Sequence, residues 1–254
     1  MKRVLRAVAA VTLFCVSLSL SACGENEAEL SEWESFLIEY RAAKRDSYRS
    51  ENEEYADYEV DVAFIGDSLT DGYDVKTSYP DMTVVNRGIG ADTTFDLEGR
   101  LQVSLYDLKP KVVVMLIGAN NPETMFDNYE RILQGFCENL PHTRVVLLSC
   151  TSMSGDWGKN NHLAAYNNVK IKMLAEKYSF AFVDLYSPLL NLETGEIYDA
   201  YTTDGGHLTP LGYEVLTREI TPVLEEQLRL WNGETTEKAK EMQTKVCISF
   251  LFIP

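Results

Sequence analysis

Four short stretches combine residue types that do chemistry. Gly66-Asp67-Ser68-Leu69 sets a serine just after an apolar run. A hydroxyl at a strand-to-helix turn stands at the edge of a sheet, and the helix start turns free N–H groups toward it. A serine there also serves as an ordinary N-cap. Asn86-Arg87-Gly88-Ile89-Gly90-Ala91-Asp92-Thr93 holds two glycines, Gly88 and Gly90, suited to a tight turn that offers backbone N–H groups to an anion. Gly118-Ala119-Asn120-Asn121 follows another apolar run. An amide there can donate to an oxyanion or simply shape the turn. Asp204-Gly205-Gly206-His207-Leu208-Thr209 puts a carboxylate three residues before an imidazole. Such a pair can hold the ring in one tautomer; the plainer role is an Asp capping the final helix, with His207 at the surface. His142, in a loop before a strand, and His162, opening a helix, are weaker candidates.

Loops so far apart in the chain need a scaffold that gathers them. Residues 60–65, 82–85, 112–117, 145–148 and 180–185 read as strands. The run VVVMLI at 112–117 is continuously apolar, as expected of a central parallel strand. Residues 94–105, 123–140, 162–178 and 210–230 read as helices, the last bent at Pro222. This order predicts an α/β fold of three layers, α/β/α, with a mostly parallel five-stranded sheet, flavodoxin-like in plan, and right-handed crossovers. Ligands of such sheets lie beyond the carboxyl ends of the strands. Three of the four stretches directly follow a strand, and the fourth precedes the last helix. A further helix from Ser31 presents Trp33, Phe36, Leu37 and Tyr40 on one face, and the charged residues 41–57 read as its solvated continuation or a loop. The long connection 186–203 is placed to form a rim over the site.

The chain has 254 residues, 45% of them apolar and 24% charged, which fits a globular protein. Its net charge of −16 repels phosphate backbones, so nucleic acid is excluded as an expected partner. Lys2, Arg3 and Arg6 precede an apolar run, 7–20, that ends Leu20-Ser21-Ala22-Cys23. Basic start, short apolar run and small-residue ending read as a secretory signal over 1–22, too short for a comfortable membrane span. The ending resembles the bacterial lipobox, which implies cleavage before Cys23, lipidation of Cys23 and an exported protein anchored in a membrane, facing outside the cytoplasm. The remaining residues carry 20 basic against 39 acidic side chains, net −19. Cys137, Cys150 and Cys247 are left, an odd number that argues against a disulfide framework, and no CxxC spacing suggests zinc. The apolar tail 246–254 (VCISFLFIP) is too short to span a bilayer. It suits docking on the body, an added edge strand, or an irregular read-out of the gene.

Taken together, GDSL, NRGIGADTT, IGANN and DGGHLTPLGY resemble the SGNH, or GDSL-motif, hydrolase family over about 150 residues, in the family's order and at a family-like spacing. The wording looks most like the branch holding platelet-activating-factor acetylhydrolases and bacterial acetylesterases. The resemblance implies Ser68 as nucleophile and, through its own N–H, as an oxyanion donor. It implies Asn120 as side-chain donor, His207 as base, Asp204 as its orienter, and no metal or other cofactor. The family's backbone donor glycine falls at Ala91 here. An alanine N–H can serve unless the position needs φ > 0, so Gly90 stays as the alternative donor. Asn121 stands where many members have Asp, a position that is not a donor. The rival GxSxG elbow fails at Thr70. The implied organisation is a signal over 1–22, lipidated Cys23 with tether and helix over 23–57, an SGNH hydrolase domain over 58–232 and a tail of unknown role over 233–254. The implied activity is hydrolysis of short-chain, acetyl-type esters, with a small ester or an acetylated carbohydrate as substrate and contact with membrane through the anchor only. A lysophospholipase or thioesterase of the same fold, and an inactive lipid-anchored binding protein, are the alternatives.

Overall fold

Five short strands form the centre: β1 (Val62–Gly66), β2 (Val84–Gly88), β3 (Val112–Leu116), β4 (Arg144–Leu148) and β5 (Ala181–Val183). They pair in the order β2-β1-β3-β4-β5, every pair parallel. The computed structural model describes residues 30–233; the leader 1–22, Cys23 and the tail 246–254 lie outside them. The helices in chain order are α1 (Glu32–Asn52), α2 (Ser68–Asp71), α3 (Val75–Ser78), α4 (Thr94–Glu98), α5 (Tyr129–Asn139), α6 (Gly155–Gly158), α7 (Asn161–Tyr178), α8 (Tyr186–Leu189) and α9 (Pro210–Gly233). Among the described residues, 30–36 fall in one unit, in which exposed Trp33 and Phe36 stack on each other, and 37–233 in the second. The sheet and the site belong to the second unit.

Strand side chains alternate between two apolar layers. Ala63, Ile65, Val113, Met115 and Leu147 pack with Leu97, Phe136 of α5 and Ile171 of α7. Val62, Phe64, Val114, Val146 and Leu148 pack with Tyr73 and with Val215, Leu216 and Ile220 of α9. Coverage on both faces explains why the strands read as continuous apolar runs. The chain steps from β1 out to β2, then returns across β1 to β3. The carboxyl end of β1 is therefore the point where strand order reverses, and Ser68 follows it directly.

Some elements differ from expectation. The helix over 94–105 is two pieces: α4, and a π-helical turn at Gln102–Tyr106. Between them Arg100 turns inward to buried partners. The helix expected from 123 begins at Tyr129, because the Asn128 side chain reaches across to Thr94 and Glu98. α9 runs unbroken through Pro222. Of the two readings of the charged stretch after Tyr40, the continuation holds as far as Asn52, where α1 ends. The connection 186–203 holds α8, a hairpin of β6 (Leu190–Asn191) and β7 (Glu196–Ile197), and a 3-10 turn. Thr203 N–H donates to the His207 carbonyl at 2.9 Å, so this segment borders the His207 loop as a rim.

Candidate active site

β1 ends at Gly66, and Asp67 caps α2 by accepting the Leu69 N–H at 3.1 Å. The cap is therefore Asp67, not Ser68. Ser68 is the first helical residue, with its hydroxyl outside the helix and its N–H making no hydrogen bond among the described residues. Ser68 Oγ lies 3.0 Å from His207 Nε2. His207 Nδ1 lies 2.7 Å from Asp204 Oδ2. The other Asp204 oxygen accepts the N–H groups of Gly206 (2.9 Å) and His207 (2.7 Å). Burial opposes the charge of Asp204, but the His207 N–H, the His207 ring and the Gly206 N–H outweigh it and lower the carboxyl to about 2. A carboxylate ionised at neutral pH keeps the proton on Nδ1 and aims the Nε2 lone pair at the serine.

The loop carrying this pair has its own support. Asp204 does not cap α9; Thr209 does, accepting the Gly212 N–H at 3.1 Å. A Cβ on Gly206 would stand 2.7 Å from the ring of Trp157, so only glycine lets the loop lie flat on that indole. The His207 ring meets Trp157 edge-on at 5.7 Å. Trp157 sits in the single turn α6, where no periodicity marked it. His142 and His162 are not brought to this site: the His142 carbonyl accepts the Trp231 indole N–H near the amino ends of the strands, and His162 is exposed on α7.

The loops after β2 and β3, the strands flanking β1, carry the candidate donors. Asn120 Nδ2 donates to the Asp92 carbonyl at 2.9 Å, which orients the amide and leaves its second N–H for a ligand. Asn121 is a brace: it accepts the Thr94 N–H at 3.1 Å and donates to Thr94 Oγ1 at 2.9 Å. The positive φ in this loop falls on Ala91, at 61°, and not on Gly88 or Gly90. Gly88 is needed instead for close approach, since a Cβ there would meet the Asp71 backbone nitrogen at 2.2 Å. The Gly90 N–H is taken by Asp71 Oδ2 at 3.2 Å. The Ala91 N–H makes no hydrogen bond among the described residues. Of the two backbone donors left open by the sequence, Gly90 is engaged and Ala91 is vacant. An alanine in the left-handed region costs about 1 kcal/mol, so its surroundings must hold it there.

The floor of the site is polar but closed. Arg100 is buried and donates to Asp92 (2.6 Å), the Arg87 carbonyl (2.8 Å) and the Gly66 carbonyl (2.9 Å), tying the ends of β1 and β2 to the donor loop. Asp67 is fully buried, and burial raises its carboxyl to about 6. Burial and the Asp67 charge push the nearby Cys150 thiol up to about 12. Asp67, Leu69, Ile117, Ala119, Cys150 and Met153 are among the residues lining a small cavity of about 10 Å³, to which Ser68 does not contribute. That is space for one water at most.

Residues 64–215 match the family model described as GDSL-like lipase/acylhydrolase. Platelet-activating factor acetylhydrolase IB subunit alpha2 of Homo sapiens is 34% identical over 101 residues, covering 36% of this chain and 44% of that protein. The match thus spans less than half the length of that relative. A GDSL-like lipase of Bacteroides thetaiotaomicron has the same fold, with TM-score 0.63 and 24% identity over 72% of this chain and 98% of that one. So has an acetylxylan esterase of Geobacillus stearothermophilus, with TM-score 0.54 and 21% identity over 66% of this chain and 95% of that one.

Proposed function

The chain belongs to the GDSL-like lipase/acylhydrolase family, a family of hydrolases, and from that premise we propose a serine esterase that removes short acyl groups, acetyl above all, from carbohydrate outside the cytoplasm. The observation that carries the reading is the unbroken hydrogen-bond chain from Asp204 through His207 to Ser68, beside vacant donors.

In this reading Ser68 Oγ attacks the ester carbonyl carbon while His207 Nε2 takes the hydroxyl proton. Asp204 orients the ring and stabilises the imidazolium. The carbonyl oxygen becomes an oxyanion received by the Ser68 N–H, the Ala91 N–H and the Asn120 amide. The tetrahedral adduct collapses, the bond to the leaving oxygen breaks, and His207 returns the proton to the departing alcohol. Water then attacks the acyl-serine by the same route, with His207 again taking and returning the proton.

The 34% identity to a platelet-activating factor acetylhydrolase subunit supports a short acyl group. The acidic charge disfavours an anionic lipid surface as substrate. The intact hydrogen-bond chain favours an active enzyme over an inactive binding protein. Export rests on the leader, and lipidation would place an anchor at Cys23. The test is a series of p-nitrophenyl esters of rising acyl length, then acetylated oligosaccharides against lysophosphatidylcholine. The expected result is a kcat/KM greatest for acetate and falling with length. A preference for long acyl chains or for lysophospholipid would overturn the substrate. Labelling with palmitate that disappears in Cys23→Ala tests the anchor.

A further inference from the structure

The end of β2 and the loop after it, which presents the Ala91 N–H, are gripped by α1, which lies outside the family-matched residues 64–215. Asn52 Oδ1 accepts from the Arg87 guanidinium at 2.9 Å, and Glu51 pairs with the same group. That guanidinium lies 4.7 Å over the Tyr48 ring. Tyr48 Oη donates to the Gly88 carbonyl at 2.5 Å. Tyr40 and Lys44 both bind the Asp71 carboxylate, the group that holds the Gly90 N–H. Arg41 closes the series. Its Nη2 donates to the Ala91 carbonyl at 2.9 Å and to Asp96 Oδ2 at 3.0 Å, and its Nε stands 3.0 Å from Asp92 Oδ1.

These contacts bracket one peptide group. The Ala91 N–H belongs to the Gly90–Ala91 peptide. On one side Asp71 fixes the Gly90 N–H; on the other Arg41 fixes the Ala91 carbonyl. The intervening φ is the positive one, a conformation that a residue with a Cβ keeps only when its surroundings hold it. We infer that α1 is part of the esterase machinery and that Arg41 is a positioning residue, which holds the Ala91 peptide with its N–H turned to the oxyanion. The inference rests on the esterase reading and adds to it an element that the four motifs do not contain.

The test uses Arg41→Met and Arg41→Lys, each alone and combined with Ala91→Gly, with p-nitrophenyl acetate as substrate. A lost oxyanion donor costs about 100- to 1000-fold in turnover, so a loosened one should cost roughly 10- to 100-fold. The loss should fall on kcat, with KM within about twofold, because the donor acts on the transition state. Glycine adopts positive φ without the Cβ cost, so Ala91→Gly should return about fivefold or more of the kcat lost in Arg41→Met. General loosening of the fold would not respond to that second change. Arg41→Lys keeps a cation for Asp92 and Asp96 but not the forked donor, so it carries the same test should Arg41→Met fail to fold. Unchanged kcat in the folded variant, a change confined to KM, or a loss that Ala91→Gly does not relieve overturns the role of Arg41. A wild-type protein inactive on every ester would instead overturn the esterase reading, so the two failures are distinct.

Discussion

His207 Nε2 stands 3.0 Å from Ser68 Oγ, although 139 positions of chain separate the two residues. Two loops at the carboxyl edge of one sheet bring them there. One is the turn after β1, where Asp67 takes the capping duty and leaves the serine hydroxyl outside the helix. The other is the Gly205-Gly206 loop, which lies flat on Trp157 and lets Asp204 hold the ring from behind.

Asp204→Asn should fold and should lose roughly 10,000-fold in kcat, because an amide no longer enforces the Nδ1–H tautomer. Steady-state kinetics on p-nitrophenyl acetate, with circular dichroism to confirm folding, checks this. A loss under about tenfold would mean that Asp204 does not orient the base.

Asn120→Ala should lower kcat by about 100- to 1000-fold with little change in KM. Its amide is already oriented by the Asp92 carbonyl, so donation to the oxyanion needs no rearrangement. A rise in KM at constant kcat would place Asn120 in ground-state binding instead.

Asp67 gives a pH signature in stability. Its carboxyl rises from 3.8 to about 6 on folding, because burial disfavours the charge. The folded chain then holds this proton more tightly than the unfolded chain does. Below about pH 4 the group makes no difference; between about pH 4 and 6 it removes stability, by about 3 kcal/mol once fully ionised. Asp67→Asn has no such proton. The Tm of the wild type relative to Asp67→Asn should therefore fall as pH rises across that interval and level off above it. A difference constant from pH 4 to 7 would contradict the burial effect.

The sheet and the four loops were legible because their signals are local. VVVMLI at 112–117 carries its burial in its composition, three motifs follow a strand at a turn, and the fourth precedes the last helix. Long-range polar pairing leaves no such trace. Arg41, Lys44 and Glu51 look like a solvated helix surface, yet each meets a partner on a loop, helix or strand far along the chain. Arg100 sits in a run that reads Leu97, Leu101, Leu105, and its inward turn depends on carbonyls of Gly66 and Arg87 that no side-chain pattern reveals. The glycines at 88 and 90 mark a tight turn, but nothing in the sequence tells that its positive φ falls on Ala91, held by a contact from α1.

The central claim is that Ser68 is an activated nucleophile. The most direct measurement is reaction of the purified protein with a fluorophosphonate, followed by mass spectrometry of its peptides. The account predicts one adduct, on Ser68, absent in Ser68→Ala and formed far more slowly in His207→Ala. A folded, ester-cleaving protein that carries its adduct on another residue, or that keeps its turnover in Ser68→Ala, would contradict it.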